Sequence, residues 1–305
     1  SLSLILLVSG YCSLVYQVVW IREFRLIFGG TTGAMAAVLA VFMGGLGVGG
    51  AVLGRRVERS TSPLFFYGLV EIGISLTAAA TPILLILVRR LYYGTGGEVE
   101  LGYGVATLLR GGMTLAVIGL PCFLMGGTLP AAAKHLQHDA DPDRKVTGWL
   151  YGINIVGALT GVFMTTFVTL EHLGNRGSLW LAVVFNLLIG LAALALARVP
   201  TTTVTSSEKT QENKKNIEDN HRDETKSSPE KTSPKAEDTP SIISTSTCYG
   251  AAFVTGMIFF MLELVWYRMS TPLTGGSVYA LGMVLMVALL GLALGGGLYA
   301  MTGRK

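Results

Sequence analysis

Glu263 is a carboxylate set in an oily run, in the stretch MLELVWYRM over residues 261–269. A carboxylate in hydrocarbon costs several kcal/mol, so it faces a bundle interior, takes a partner or holds a proton. Two readings stay open. In one, the acid is a substrate or proton site that attracts a polyamine-like cation. In the other, it is a buried hydrogen bond locking one helix to its neighbours. Arg268 lies about 7.5 Å further along a helix and about 140° round it, so pairing within the helix is poor. Trp266, three residues on, shares the Glu263 face.

The pattern occurs twice. Near the start the chain reads LVYQVVWIREF over residues 14–24, and a shift of 246 positions lays the first fifty residues on the last fifty. Gln17 then falls on Glu263, Trp20 on Trp266 and Arg22 on Arg268. Gly29 and Gly30 fall on Gly275 and Gly276, Gly45 on Gly291, and Gly49 on Gly295. A glutamine can donate two hydrogen bonds to a carboxylate, so Gln17 and Glu263 are candidates to meet across a shared seam. Trp20, Arg22, Trp266 and Arg268 fit anchors at a membrane interface. Gly45, Gly49, Gly291 and Gly295 sit at the spacing that lets helices approach closely. Glu71 is a second intramembrane acid, and Asn154 and Asn186 are polar groups in apolar runs. Each lines a cavity or bonds one helix to another. Pro82 and Pro121 are expected to kink their helices.

The elements that carry these residues follow from composition. The 305 residues are 51% hydrophobic and only 14% charged, against about 25% charged in a soluble domain. Apolar runs long enough to cross a bilayer occupy about 3–27, 32–54, 63–88, 111–133, 146–171, 176–198, 248–270 and 277–301. The fold expected is an all-α integral membrane protein of eight spans, its partner the lipid bilayer. The first run lacks the features of a cleaved signal. Residues 1–198 form a six-helix membrane bundle. Residues 199–247, rich in Ser, Thr, Lys, Glu and Pro, read as a disordered tether. Residues 248–305 supply the first two helices of a second membrane half. The chain starts at Ser1 and stops just after its last apolar run, which is expected of a fragment.

Cys12, Cys122 and Cys248 are far apart, without metal-ligand spacing, and no histidine sits where it would do chemistry. No cluster of basic residues suggests nucleic acid. No catalytic residue and no metal site is expected in this chain. The lysine and arginine bias places the N-terminus and the linker in the cytoplasm. Six helices separate the two copies of the repeat, so both point the same way across the bilayer. This describes a parallel, major-facilitator-like architecture with helices 1–2 repeated as 7–8.

Four stretches, YQVVWIREF, LELVWYRM…TGGSVYALGMVLMVALLGLALGG, MGGTLPAAAKH and GWLYGINIVGALTGVF, resemble the membrane region of bacterial spermidine synthase-like proteins. The resemblance covers nearly the whole chain outside the linker. It departs from the family at Gln17, where Glu is expected in both copies. It implies a facilitator-like membrane domain fused to an aminopropyltransferase, in a cytoplasmic (inner) membrane. The catalytic domain is absent from these residues, and decarboxylated S-adenosylmethionine is a cofactor only if that domain follows. Gly295–Gly297 lies in an apolar helix with no strand before it and reads as packing glycine. Three functions stay open: anchoring or serving an aminopropyltransferase, transport of a small cationic solute, and a structural membrane scaffold.

Overall fold

A computed structural model describes residues 2–136, 145–198, 245–275 and 278–302, and those residues form helices with no strands. The elements are α1 (Leu2–Phe28), α2 (Thr32–Glu58), α3 (Pro63–Gly94), α4 (Gly97–Gly126), α5 (Thr128–Leu136) and α6 (Lys145–Met164). A π-helical turn, Thr165–Thr169, follows, then α7 (Leu170–His172), α8 (Gly174–Arg198), α9 (Thr245–Thr274) and α10 (Val278–Thr302). Eight helical segments among the described residues are long and apolar enough to cross a membrane. The chain is an all-α multi-pass membrane protein.

Local chemistry sets the ends. The Thr31 hydroxyl accepts from the Ala34 N–H at the start of α2, and Pro63 opens α3, where its missing N–H costs nothing. The chain turns between α1 and α2 at Gly29, with φ +85°, and leaves α9 at Gly275, with φ +73°. These two positions are matched in the sequence repeat, and only glycine adopts such backbone readily. The helices run on through Pro82 and Pro121, and the non-helical backbone inside α4 falls instead at Gly102, φ +72°. The carbonyl of Ala78, deprived of its usual N–H by Pro82, accepts from the Thr81 hydroxyl at 2.7 Å.

The described residues belong to two compact units. One comprises Ser1–Arg198 with Phe259–Lys305, the other Val199–Ile258. Most of the 199–247 stretch read as a tether lies outside the described residues. Of the second unit, residues 245–258 are described, and they are helical. In the first unit α1 is central, packed on α6 and α8, while α2 lies along α4, α3 along α8 and α10 along α6. Glycine decides the closest approaches. A Cβ on Gly45 would lie 2.6 Å from that of Cys122, and one on Gly49 would strike the Phe123 carbonyl, so α2 and α4 touch backbone to backbone. Gly157 and Gly161 similarly bring α6 against the Leu7 and Tyr11 carbonyls of α1. Gly291 and Gly295, expected to do the same, have no described residue where a side chain would stand.

Candidate functional site

Polar side chains converge where α1, α3 and α8 meet. Along α3 the residues Tyr67, Glu71, Ser75, Ala78 and Thr81 recur at helical spacing and are all buried. Gly68 of α3 faces Gly190 of α8, where a Cβ on Gly68 would lie 2.9 Å from the Gly190 carbonyl oxygen. This contact draws the two helices together and brings Asn186 within reach of Glu71. Asn186 Nδ2 donates to Glu71 Oε2 at 2.6 Å, and Ser9 Oγ of α1 donates to Glu71 Oε1 at 2.6 Å. The Glu71 side chain has no solvent exposure. An ionised carboxylate only accepts hydrogen bonds, and this one faces two donors. The buried Tyr67 hydroxyl has no hydrogen-bond partner among the described residues. One turn on, Ser75 Oγ donates to the Val183 carbonyl of α8 at 3.0 Å.

Glu263 is in the opposite condition. It is 3% exposed, and neither carboxylate oxygen has a hydrogen-bond partner among the described residues. Half-buried Phe260, Leu264 and Tyr267 pack toward the core on the same helix. With Glu263 they make an i, i+3, i+4, i+7 stripe, the inward face of this part of α9. Trp266 is 46% exposed, which corrects the expectation that it shares the Glu263 face. At 100° per residue, the inward stripe is centred on the far side of Glu263 from position 266. Arg268 donates to Thr32 Oγ1 at 2.9 Å.

Gln17, matched to Glu263 in the repeat, is also buried, and its Nε2 has no partner among the described residues. The two side chains therefore do not hydrogen-bond to one another, although both turn inward. Asn154 does a structural job: its Nδ2 donates to the Leu6 carbonyl at 3.2 Å where Gly10 leaves room for it. Trp20 is not an interface anchor. Its indole is fully buried, stacks on Tyr16 at 5.2 Å, and donates from Nε1 to Thr81 Oγ1 at 3.2 Å. Thr81 passes that bond on to the Ala78 carbonyl, so the indole is tied to the backbone gap left by Pro82. Cys12 and Cys122 are buried free thiols.

Sequence reasoning missed Arg110. It is 2% exposed inside α4. Its Nη2 donates to Glu98 Oε2 at 2.7 Å and to the Tyr92 hydroxyl at 2.8 Å, and its Nε to the same hydroxyl at 3.0 Å. The signal was present in the paired acids Glu98 and Glu100 beside the glycine turn at 96–97. Among the described residues no cluster of His, Cys, Asp and Glu could hold a metal ion. No family model, curated protein or solved structure matches the chain.

Proposed function

We propose that this chain is a membrane module of the spermidine synthase-like type that binds and passes a small cationic solute of polyamine class, with Glu263 as the counter-charge. Glu71 and Glu263 are both buried acids, but they differ in one respect. Glu71 has each oxygen hydrogen-bonded to a neighbouring helix and acts as a structural tie. Glu263 has neither oxygen bonded among the described residues, and an unpartnered buried carboxylate is destabilising unless a proton or a cation completes it. That contrast supports the reading. The facilitator-like parallel arrangement of the two hairpins belongs to the same proposal, as does an inner-membrane location with a cytoplasmic N-terminus.

The test is uptake of radiolabelled spermidine by vesicles containing the full-length protein. Glu263→Gln is expected to abolish saturable uptake, while Glu263→Asp keeps part of it and Glu71→Gln leaves it largely intact. Uptake that Glu263→Gln does not alter refutes the role given to this acid. A wild-type protein that folds and moves no spermidine removes transport, and leaves service to an aminopropyltransferase domain or a scaffold role.

A further inference from the structure

A cavity of about 530 Å³ opens where the last turns of α1 meet the π-helical turn after α6 and the start of α10. Its walls include Arg22, Arg25, Gly30, Thr166, Glu171 and Tyr279. The volume falls within the range of small-molecule sites, about 300–1,000 Å³. Two observations give it a chemistry.

The first is charge. Arg22 and Arg25 are one turn apart on α1 and both line the cavity. The acid between them in sequence, Glu23, points elsewhere: it accepts from Asn175 Nδ2 at 2.7 Å and lies 3.9 Å from Arg89. Neither Arg22 nor Arg25 has an ion pair among the described residues, so two guanidiniums stand against the single carboxylate of Glu171. The second is Thr166, a lining residue 2% exposed whose hydroxyl is turned toward Gly282 of α10 and has no hydrogen-bond partner among the described residues. Other threonines inside these helices, Thr77, Thr107, Thr114, Thr160 and Thr271, donate to the carbonyl four residues back. Thr166 sits in the π-helical turn and lacks that bond, and such turns are frequent at functional sites. Gly282 of α10 admits the Thr166 side chain at a spacing that any Cβ would close.

We propose that this cavity binds an anionic group, a phosphate or a carboxylate, through the forked donors of Arg22 and Arg25, the unpaired Thr166 hydroxyl turning away from Gly282 to complete its coordination. Guanidinium pairs suit such planar or tetrahedral anions. The site shares no residue with Glu263 and stands independently of the cation-transport reading. The anion comes either from a soluble metabolite or from a lipid headgroup, and the two sources are separable.

The full-length protein in detergent would be titrated calorimetrically with glycerol 3-phosphate. In parallel, protein taken from phosphatidylcholine nanodiscs with and without phosphatidylglycerol would be examined by native mass spectrometry for retained lipid. Saturable binding of glycerol 3-phosphate identifies a soluble-anion site, and selective retention of phosphatidylglycerol identifies a headgroup site. Arg22→Gln and Arg25→Gln are each expected to weaken the bound probe about tenfold. Thr166→Val is expected to weaken it by a few-fold, and Arg55→Gln, at the far end of α2, to leave it unchanged. Should the glutamine variants fail to fold, Thr166→Val and the charge-keeping Arg22→Lys still decide: both must weaken binding. Absence of binding by both probes, or binding that survives loss of both arginines in a folded protein, overturns the proposal.

Discussion

Exchanging the two ends of the Glu71–Asn186 bond is a sharp test of the tie between α3 and α8. Gln has the length of Glu, and Asp that of Asn, so Glu71→Gln with Asn186→Asp swaps carboxylate and amide without changing volume. Asn186→Asp alone sets a second carboxylate where Nδ2 now lies 2.6 Å from Glu71 Oε2. At neutral pH the pair is then tolerable only with a shared proton. Holding that proton on a group that ordinarily loses it at about pH 4 costs about 4 kcal/mol, of which the new short hydrogen bond returns about 1–2. The single variant should therefore lose about 2–3 kcal/mol, and the deficit should shrink as the pH is lowered, because acid supplies the proton. Glu71→Gln alone should cost within about 1 kcal/mol. Its amide oxygen takes the Asn186 N–H, and the Ser9 hydroxyl rotates from donor to acceptor. In the double variant, the new amide on α3 donates to the new carboxylate on α8 and accepts from Ser9. Stability should return to within about 1 kcal/mol of wild type, a coupling of about 2 kcal/mol across the pair. Unfolding by SDS titration in mixed micelles reads all four proteins. A double variant no more stable than Asn186→Asp would show that the carboxylate and the amide do not meet as described.

Three further outcomes follow from packing and buried hydrogen bonds. Gly49→Ala should destabilise by about 1–3 kcal/mol, because its Cβ meets the Phe123 backbone, whereas Gly295→Ala at the repeat-matched position should be near neutral; the same SDS titration compares them. Thr81→Val should cost about 1–3 kcal/mol and more than Trp20→Phe, since it strands both the Ala78 carbonyl and the Trp20 N–H; thermal unfolding in detergent followed by tryptophan fluorescence ranks Thr81→Val against wild type, and circular dichroism ranks both. Tyr92→Phe should cost about 1–3 kcal/mol by removing the hydroxyl that Arg110 contacts through two nitrogens, and Glu98→Gln less, because the Glu98 side chain is 40% exposed; both are read in the same unfolding assay.

The eight helices were legible because hydropathy is additive: twenty apolar residues in a row announce a span whatever they touch. The partners of polar groups were not, because those depend on which helices adjoin. Glu71 stood out as an acid in an oily run, but nothing near it in sequence marks Ser9, 62 positions away, or Asn186, 115 positions away, as its donors. Arg110 escaped notice for the opposite reason. Its partners Tyr92 and Glu98 lie close in sequence, yet the polar residues around the glycine turn lowered the local hydropathy and made a helix end look like a loop. In the structure the pairing lets α3 run to Gly94 and α4 begin at Gly97, well beyond the apolar stretches themselves.

The repeat teaches the subtler lesson. A matched residue inherits its neighbour's chemistry but not its surroundings. Gly29 and Gly275 share a left-handed backbone because that requirement is local. Trp20 and Trp266 do not share burial, and Gly49 and Gly295 do not share contacts, because α1 and α2 are enclosed by α4, α6 and α8, while α9 and α10 have fewer helices against them among the described residues. The inward turn of Gln17 and Glu263 survives this difference in enclosure, at 1% and 3% exposure. A polar side chain facing lipid would need no core around it. One that stays buried on a helix as sparsely packed as α9 occupies the few inward positions available, and a leucine there would fill them without a desolvation penalty. The counter-charge role proposed for Glu263 rests on that cost, which a bound cation or proton would offset.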